Sequence, residues 1–223
     1  MMEKVEQIPV SLDLEEVGSR LRAADLEQVE GLLDVARPLI SGRAVYKVCY
    51  VEEKLEDAVI VDGIRLTSRI LRRNLDKVGR VFAYVVTIGA ELEEKADACT
   101  DILQKYCLDT IANMALIKAR KHLEEHLRSR FALNGLSFMS PGSLADWPLE
   151  EQRPLFLLFK GAEESIDVSL TENLLMLPRK TVSGIFFPTE VTFYNCQLCP
   201  REKCEGRKAS YNENLAKEYG ILK

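Results

Sequence analysis

Apolar residues recur at steps of three and four along residues 13–40, and Leu26, Val29, Leu32, Leu33 and Ala36 fall on one side of a helix. The spacing predicts two helices there, parted near Arg22–Asp25. Arg37-Pro38 closes the second, because proline disfavours α geometry in the residue before it. From residue 44 the period changes. AVYKVCYVE alternates and is rich in valine and tyrosine, which suits a strand. AVIV after Asp57 is a second short strand, and Asp62-Gly63 is a turn signal. Ser68 is placed to cap a short helix running through Leu75. Residues 80–89, RVFAYVVTIG, are apolar nearly throughout, the pattern of a strand in mid-sheet covered on both faces.

A long helical pattern follows from about Glu91 to Phe131, with Leu108, Ala112, Leu116, Ala119, Leu123, Leu127 and Phe131 as its stripe. Lys118, Arg120, Lys121, Arg128 and Arg130 crowd its end, where the helix dipole favours cations, and Asn134-Gly135 is a stop. Residues 136–147 read as a loop centred on Ser140-Pro141-Gly142-Ser143. Pro148 then suits the first residue of a helix that Pro154 kinks or splits. IDVSL (166–170) reads as a strand, Thr171 as the cap of a short helix ended by Leu177-Pro178, and TVSGIFF (181–187) as another strand. Strands and helices interleave without a βαβ rhythm. The fold class is therefore α+β, a mixed or antiparallel sheet backed by helices. The chain divides into a helical segment (1–42), a core (43–193) and a tail (194–223), all within one structural domain.

Composition narrows the function. The 223 residues are 47% hydrophobic and 29% charged, as in an ordinary globular protein. A net charge of -5 with no basic stripe argues against a nucleic-acid partner. No apolar run reaches the roughly 18 residues of a membrane span. The acidic start, MMEKVEQIPVSLDLEE, has no apolar signal core, so a cytoplasmic location is expected.

Three of six cysteines are crowded near the end as Cys196-x2-Cys199-x4-Cys204. Thiolates so spaced select zinc or an iron–sulfur cluster, and Pro200 and Gly206 suit a tight backbone there. Both centres ordinarily take four ligands, so Cys49, Cys99 or Cys107, or a partner, would complete the set. The competing reading is three free thiols on a tail. His122-Leu-Glu-Glu-His126 matches a zinc-peptidase string, but it sits in a highly charged helix, where a solvated face with i,i+4 charge pairs is the plainer reading.

Two stretches carry a resemblance. Ser140-Pro141-Gly142 with Asp146-Trp147-Pro148-Leu149-Glu150-Glu151-Gln152 and Leu155-Phe156 is one. Leu170-Thr171-Glu172, Met176-Leu177-Pro178 and Thr181-Val182-Ser183-Gly184-Ile185 is the other. With Thr87-Ile88-Gly89 and Leu92-Glu93, they resemble the activation domain family of vitamin B12-dependent methionine synthase, over roughly residues 43–207. The resemblance implies a single C-shaped α+β domain with a twisted, mainly antiparallel sheet. It also implies binding of S-adenosylmethionine and docking on a cobalamin-bearing protein. There an electron from flavodoxin, ferredoxin or a similar donor reduces the cobalt, and S-adenosylmethionine remethylates it.

On that resemblance the ligand residues are Ser140, Pro141, Gly142, Glu172, Ser183, Gly184 and Phe186. The glycines would let a ligand approach free backbone groups closely. Phe138 and Ser143 stand where the family has an arginine and a tyrosine, and Phe186 where it has a tyrosine. The alternative expectation is a metal- or iron–sulfur-binding module that docks on a corrinoid protein without S-adenosylmethionine.

Overall fold

The computed structural model describes residues 2–22, 26–204 and 207–221. Ala23–Asp25, within the expected helix break, and Gly206 lie outside the described residues. In chain order the strands are β1 (Met2–Ile8), β2 (Gly42–Lys54), β3 (Ala58–Val61), β4 (Ile64–Thr67), β5 (Arg80–Thr87), β6 (Leu136–Met139), β7 (Ser169–Leu170), β8 (Met176–Leu177) and β9 (Thr181–Pro188). The helices are α1 (Leu14–Leu21), α2 (Leu26–Ala36), α3 (Arg69–Asn74), α4 (Glu91–Asp97), α5 (Ile102–Arg130), α6 (Gln152–Leu157) and α7 (Glu213–Glu218).

The main sheet runs β4-β3-β2-β5-β9-β6, with β1 beside the first half of β2. Every strand pair in it is antiparallel, so the fold is α+β with a mainly antiparallel sheet flanked by helices. β5 is central, pairing with β2 from Arg43↔Thr87 to Tyr50↔Arg80 and with β9 from Phe82↔Phe186 to Thr87↔Thr181.

Side-chain alternation on β5 builds two cores. Phe82, Tyr84 and Val86 join Tyr46 and Phe186 beneath α1, α2, α4 and α5. Val81, Ala83 and Val85 join Ile185 and Phe187 against α3, α6, Trp147 and Ala216 of α7. Each fully buried large apolar side chain contributes about 1.5–3 kcal/mol, so covering both faces of β5 is the main source of stability. The C-terminal tail belongs to this packing: Ala216 is buried, and Tyr219 stacks on Phe193 at 6.0 Å.

Several elements differ from the sequence reading. The helix expected over 91–131 is two, because Asp101 Oδ1 accepts from the Leu103 and Gln104 N–H groups and starts α5 afresh. The helix expected after Thr171 is a β7–β8 hairpin turn. The Thr171 N–H donates to Leu175 O at 2.9 Å, and the Leu175 N–H donates to Thr171 Oγ1 at 3.1 Å. Of the strand expected over 166–170 only Ser169–Leu170 pairs, since Ala162–Ile166 is a 3-10 turn. The helix from Pro148 splits into a 3-10 turn (Leu149–Glu151) and α6, with Pro154 in the first turn of α6. β4 is one further strand, absent from the sequence reading. So are β1, whose Met2–Val5–Ile8 spacing is disguised by a register shift between Val5 and Ile8, and β6, which lies inside the expected loop. Among the described residues no helix is long and apolar enough to cross a membrane.

β1 is latched to α5 by a small polar cluster. The Tyr46 hydroxyl donates to Glu3 Oε2 at 2.6 Å and lies 3.3 Å from His126 Nε2, and Arg130 pairs with Glu3 Oε1 at 2.7 Å. His126, which the sequence reading put on a solvated face, therefore packs against Tyr46. The expected charge pairs are nonetheless present, as Arg120–Glu124 and Lys121–Glu125.

The Tyr46 hydrogen bond, with Arg130, holds the Glu3 carboxyl below its ordinary value. Burial, with the Arg130 charge, holds the His126 imidazole below its own. Both folded-state values lie under the unfolded ones, so both contributions are complete above about pH 6.5, the ordinary imidazole value. They are lost as pH falls, His126 first and then Glu3 below about pH 4.5. Urea midpoints are expected to fall from pH 7 to pH 4, and Glu3→Gln is expected to cost stability at pH 7 but little at pH 3.

Candidate functional site

Gly184 sits mid-strand in β9, opposite Tyr84 of β5. On its other side β6 ends at Met139↔Ile185, so Ser140 follows beside Gly184. A Cβ on Gly184 would stand 2.3 Å from Met139 O, 2.7 Å from Ser140 Oγ and 3.0 Å from the Tyr84 hydroxyl. The missing side chain thus lets two hydroxyls, Tyr84 and Ser140, meet over β9 at 3.4 Å. The two glycine-bearing segments singled out from the sequence do converge. The space directly above Gly184 is filled by these two hydroxyls.

Phe186, two residues on, lies between Tyr84 (ring centroids 4.3 Å) and Phe138 (5.8 Å). Over Phe138 stand two cations, Arg120 of α5 with its guanidinium carbon 3.9 Å from the ring centroid and Lys208 of the tail with Nζ at 5.6 Å. Arg120 is 7% exposed, and its Nη1 has no hydrogen-bond partner. Its nearest anion is Glu124 at 3.6 Å. Burial pushes the Tyr84 hydroxyl above its ordinary pKa, with the Arg120 charge and the Ser140 contact opposing. Burial pulls the Lys208 ammonium below its ordinary value, and the Arg120 charge adds to that.

The Ser140–Trp147 loop is closed on itself. Gly142, at φ +79°, donates its N–H to Trp147 O at 2.8 Å, and the Ser143 N–H donates to Ser140 O at 3.2 Å. Of the free backbone groups expected at Pro141-Gly142, the Gly142 N–H is therefore taken, and Gly142 is where the turn needs a positive φ. Asp146 anchors the loop: its Oδ2 accepts from Ser68 Oγ at 2.6 Å and from the Ile70 N–H at 2.9 Å, at the start of α3. Glu151 Oε2 accepts from the Thr67 N–H at 2.6 Å. Trp147 is fully buried beneath. The loop faces the tail, where Asn195 Nδ2 donates to Ser143 Oγ at 2.7 Å and Asn195 Oδ1 is buried without a partner.

Of the expected ligand residues, Ser140, Gly184 and Phe186 thus form one cluster, with Pro141 and Gly142 in the loop beside it. Ser183 alternates to the other face, level with Val85. Glu172 is exposed in the β7–β8 turn, where its carbonyl accepts from Arg153. Tyr84, Arg120, Lys208 and Asn195 were not singled out as ligand residues. An arginine interrupting the Ala119–Leu123 stripe was the available signal for Arg120, which the sequence reading had attributed to the helix dipole.

The cysteines do not fit a metal. Among the described residues no three His, Cys, Asp or Glu side chains converge as ligands. Cys196 and Cys199 are half-buried and Cys204 is exposed, while Cys49 lies in the second core with its Sγ on Lys47 O at 3.6 Å. The backbone around them is held by Arg207 instead. Its guanidinium donates to the carbonyls of Cys196 (3.0 Å), Cys199 (3.2 Å), Ala209 (3.1 Å) and Arg201.

Among solved structures the chain is similar to the reactivation domain of MetH, in its crystal structure bound to AdoHcy. The TM-score is 0.57 at 15% identity, over 87% of this chain and 80% of that one, and at this identity the likeness is one of fold. No protein-family model matches the chain, and no curated protein sequence matches it.

Two substitutions test this architecture. Gly184→Ala forces β6 away from β9, because the clash is with a backbone carbonyl, and is expected to cost about 1–3 kcal/mol in urea unfolding. Asp146→Ala removes the anchor of the loop and is expected to cost about 1–2 kcal/mol, read the same way.

Proposed function

We propose that this chain is an accessory protein for the reductive reactivation and remethylation of a corrinoid protein, acting in trans with S-adenosylmethionine. The observation that carries the reading is the fold likeness, over most of both chains, to a reactivation domain solved with AdoHcy. The meeting of Ser140 with Gly184, the segments on which the sequence resemblance rests, supports it.

Bound S-adenosylmethionine would supply the methyl group, and the cobalamin would be carried by the partner, a methionine synthase core or another corrinoid protein. A flavodoxin- or ferredoxin-like donor would supply the electron. In this reading the chain binds and orients, and the cofactors carry the chemistry. Ser140 and the loop held by Asp146 would offer the ligand a polar edge, with the Tyr84 hydroxyl and the Phe186 ring fully buried behind it. The partly exposed Phe138 would give it an apolar contact.

Calorimetry with S-adenosylmethionine and S-adenosylhomocysteine is expected to show saturable one-to-one binding, weakened at least tenfold by Gly184→Val. Absence of heat with both compounds would overturn the reading. Stoichiometric zinc, or iron with sulfide, in protein purified without oxygen and silent toward both compounds would favour the metal-bearing docking module instead.

A further inference from the structure

Arg120 is one of the buried polar side chains that carry an atom without a hydrogen-bond partner among the described residues. A guanidinium buried to this degree ordinarily has all its donors engaged, since an unpaired buried charge is costly. Here Nη1 has no hydrogen-bond partner, and Glu124 stands at 3.6 Å, beyond hydrogen-bonding range. A second cation, Lys208, has its Nζ 5.6 Å from the centroid of the same phenyl ring. Lys121 adds to the positive field at Lys208, and Glu124 opposes it. A buried guanidinium and an exposed ammonium over one ring, with a single carboxylate 3.6 Å from the guanidinium, form an arrangement that an anion would complete.

Lys208 also lines a cleft of about 720 Å³ between α1 and α5. That volume falls in the range of small-molecule sites, roughly 300–1,000 Å³. The lining carries Arg20, Arg22, Arg207 and Lys208 against Glu16 and Asp109. Both carboxylates are engaged by lysines from outside the lining, Glu16 by Lys118 at 2.6 Å and Asp109 by Lys180 at 2.6 Å. The exposed Lys208 and Arg22 thus face carboxylates that other lysines already engage. Lys208 joins it to the Phe138 cluster, and one turn of α5 links its Ile117 to Arg120.

We propose that Arg120 and Lys208 form an anion site that takes the carboxylate of an adenosyl amino acid, so that the C-terminal tail is part of the ligand site. The identity of the ligand rests on the function proposed above. The anion site itself rests on the buried Arg120 Nη1 that makes no hydrogen bond and on the two cations over one ring. The guanidinium supplies a planar pair of donors matched to a carboxylate, and Lys208 supplies a point charge from the opposite chain segment.

The test uses the full chain, with S-adenosylhomocysteine, 5′-methylthioadenosine (which lacks the amino-acid end) and inorganic phosphate as probes. By calorimetry, S-adenosylhomocysteine is expected to bind about ten- to a hundredfold tighter than 5′-methylthioadenosine. Arg120→Met and Lys208→Met are each expected to remove most of that gap while leaving 5′-methylthioadenosine binding unchanged. Equal affinity of the wild type for the two nucleosides, or variants that bind S-adenosylhomocysteine as the wild type does, would overturn the inference and leave the proposed function standing.

If neither nucleoside binds the wild type, the proposed function falls and phosphate decides the anion site. A rise in the melting temperature with phosphate in the wild type but in neither variant supports it. No rise, or an equal rise in all three proteins, overturns it. Lys208 is exposed on the tail, so its variant carries the test alone should Arg120→Met not fold.

Discussion

The absence of one side chain, at Gly184, shapes the region around which the function is argued. Any larger residue there would push Met139 O and the start of the loop away from β9. Without it, the end of β6 comes close enough for Ser140 to reach across to Tyr84. The order of the strands makes this possible, because β9 lies between β5 and β6 and one gap in its side-chain row is open to both neighbours. The two strand-borne aromatics beside it, Phe138 and Phe186, are fixed by the same register. Position in the sheet, rather than any loop flexibility, brings these groups together.

Much of the framework could be read from the chain. The unbroken apolar run of β5 announced a strand covered on both faces, and both of its faces are core. The stripe from Leu108 to Leu127 announced the buried side of α5. What escaped was set by long-range pairing. β1 is held by a hydrogen bond from Tyr46 and an ion pair from Arg130, partners 43 and 127 residues away. β6 is four residues long and owes its extended form to β9. Thr171 has the chemistry of a helix cap, yet its hydroxyl closes a hairpin, because local hydrogen bonding suits both outcomes.

The site was legible in part, for a related reason. The stretch from Ser140 to Glu151 resembles a family signature, and several of its residues prove to be architectural: Asp146 and Glu151 bind the start of α3 and the end of β4, and Trp147 fills the core. A glycine-bearing loop looks open on paper, but here its amides are spent within the turn. Arg120 and Lys208, by contrast, come from a helix and a tail separated by 88 positions, and nothing in either segment names the other. Where Phe138 stands in place of the family's arginine, positive charge arrives on the ring from those two distant segments.

The Arg207 fork has a consequence of its own. A single guanidinium gathers four main-chain carbonyls and so ties the cysteine-bearing segment together through its backbone oxygens. Sulfur chemistry there, whether alkylation, oxidation or none at all, is thereby uncoupled from whether the segment keeps its course.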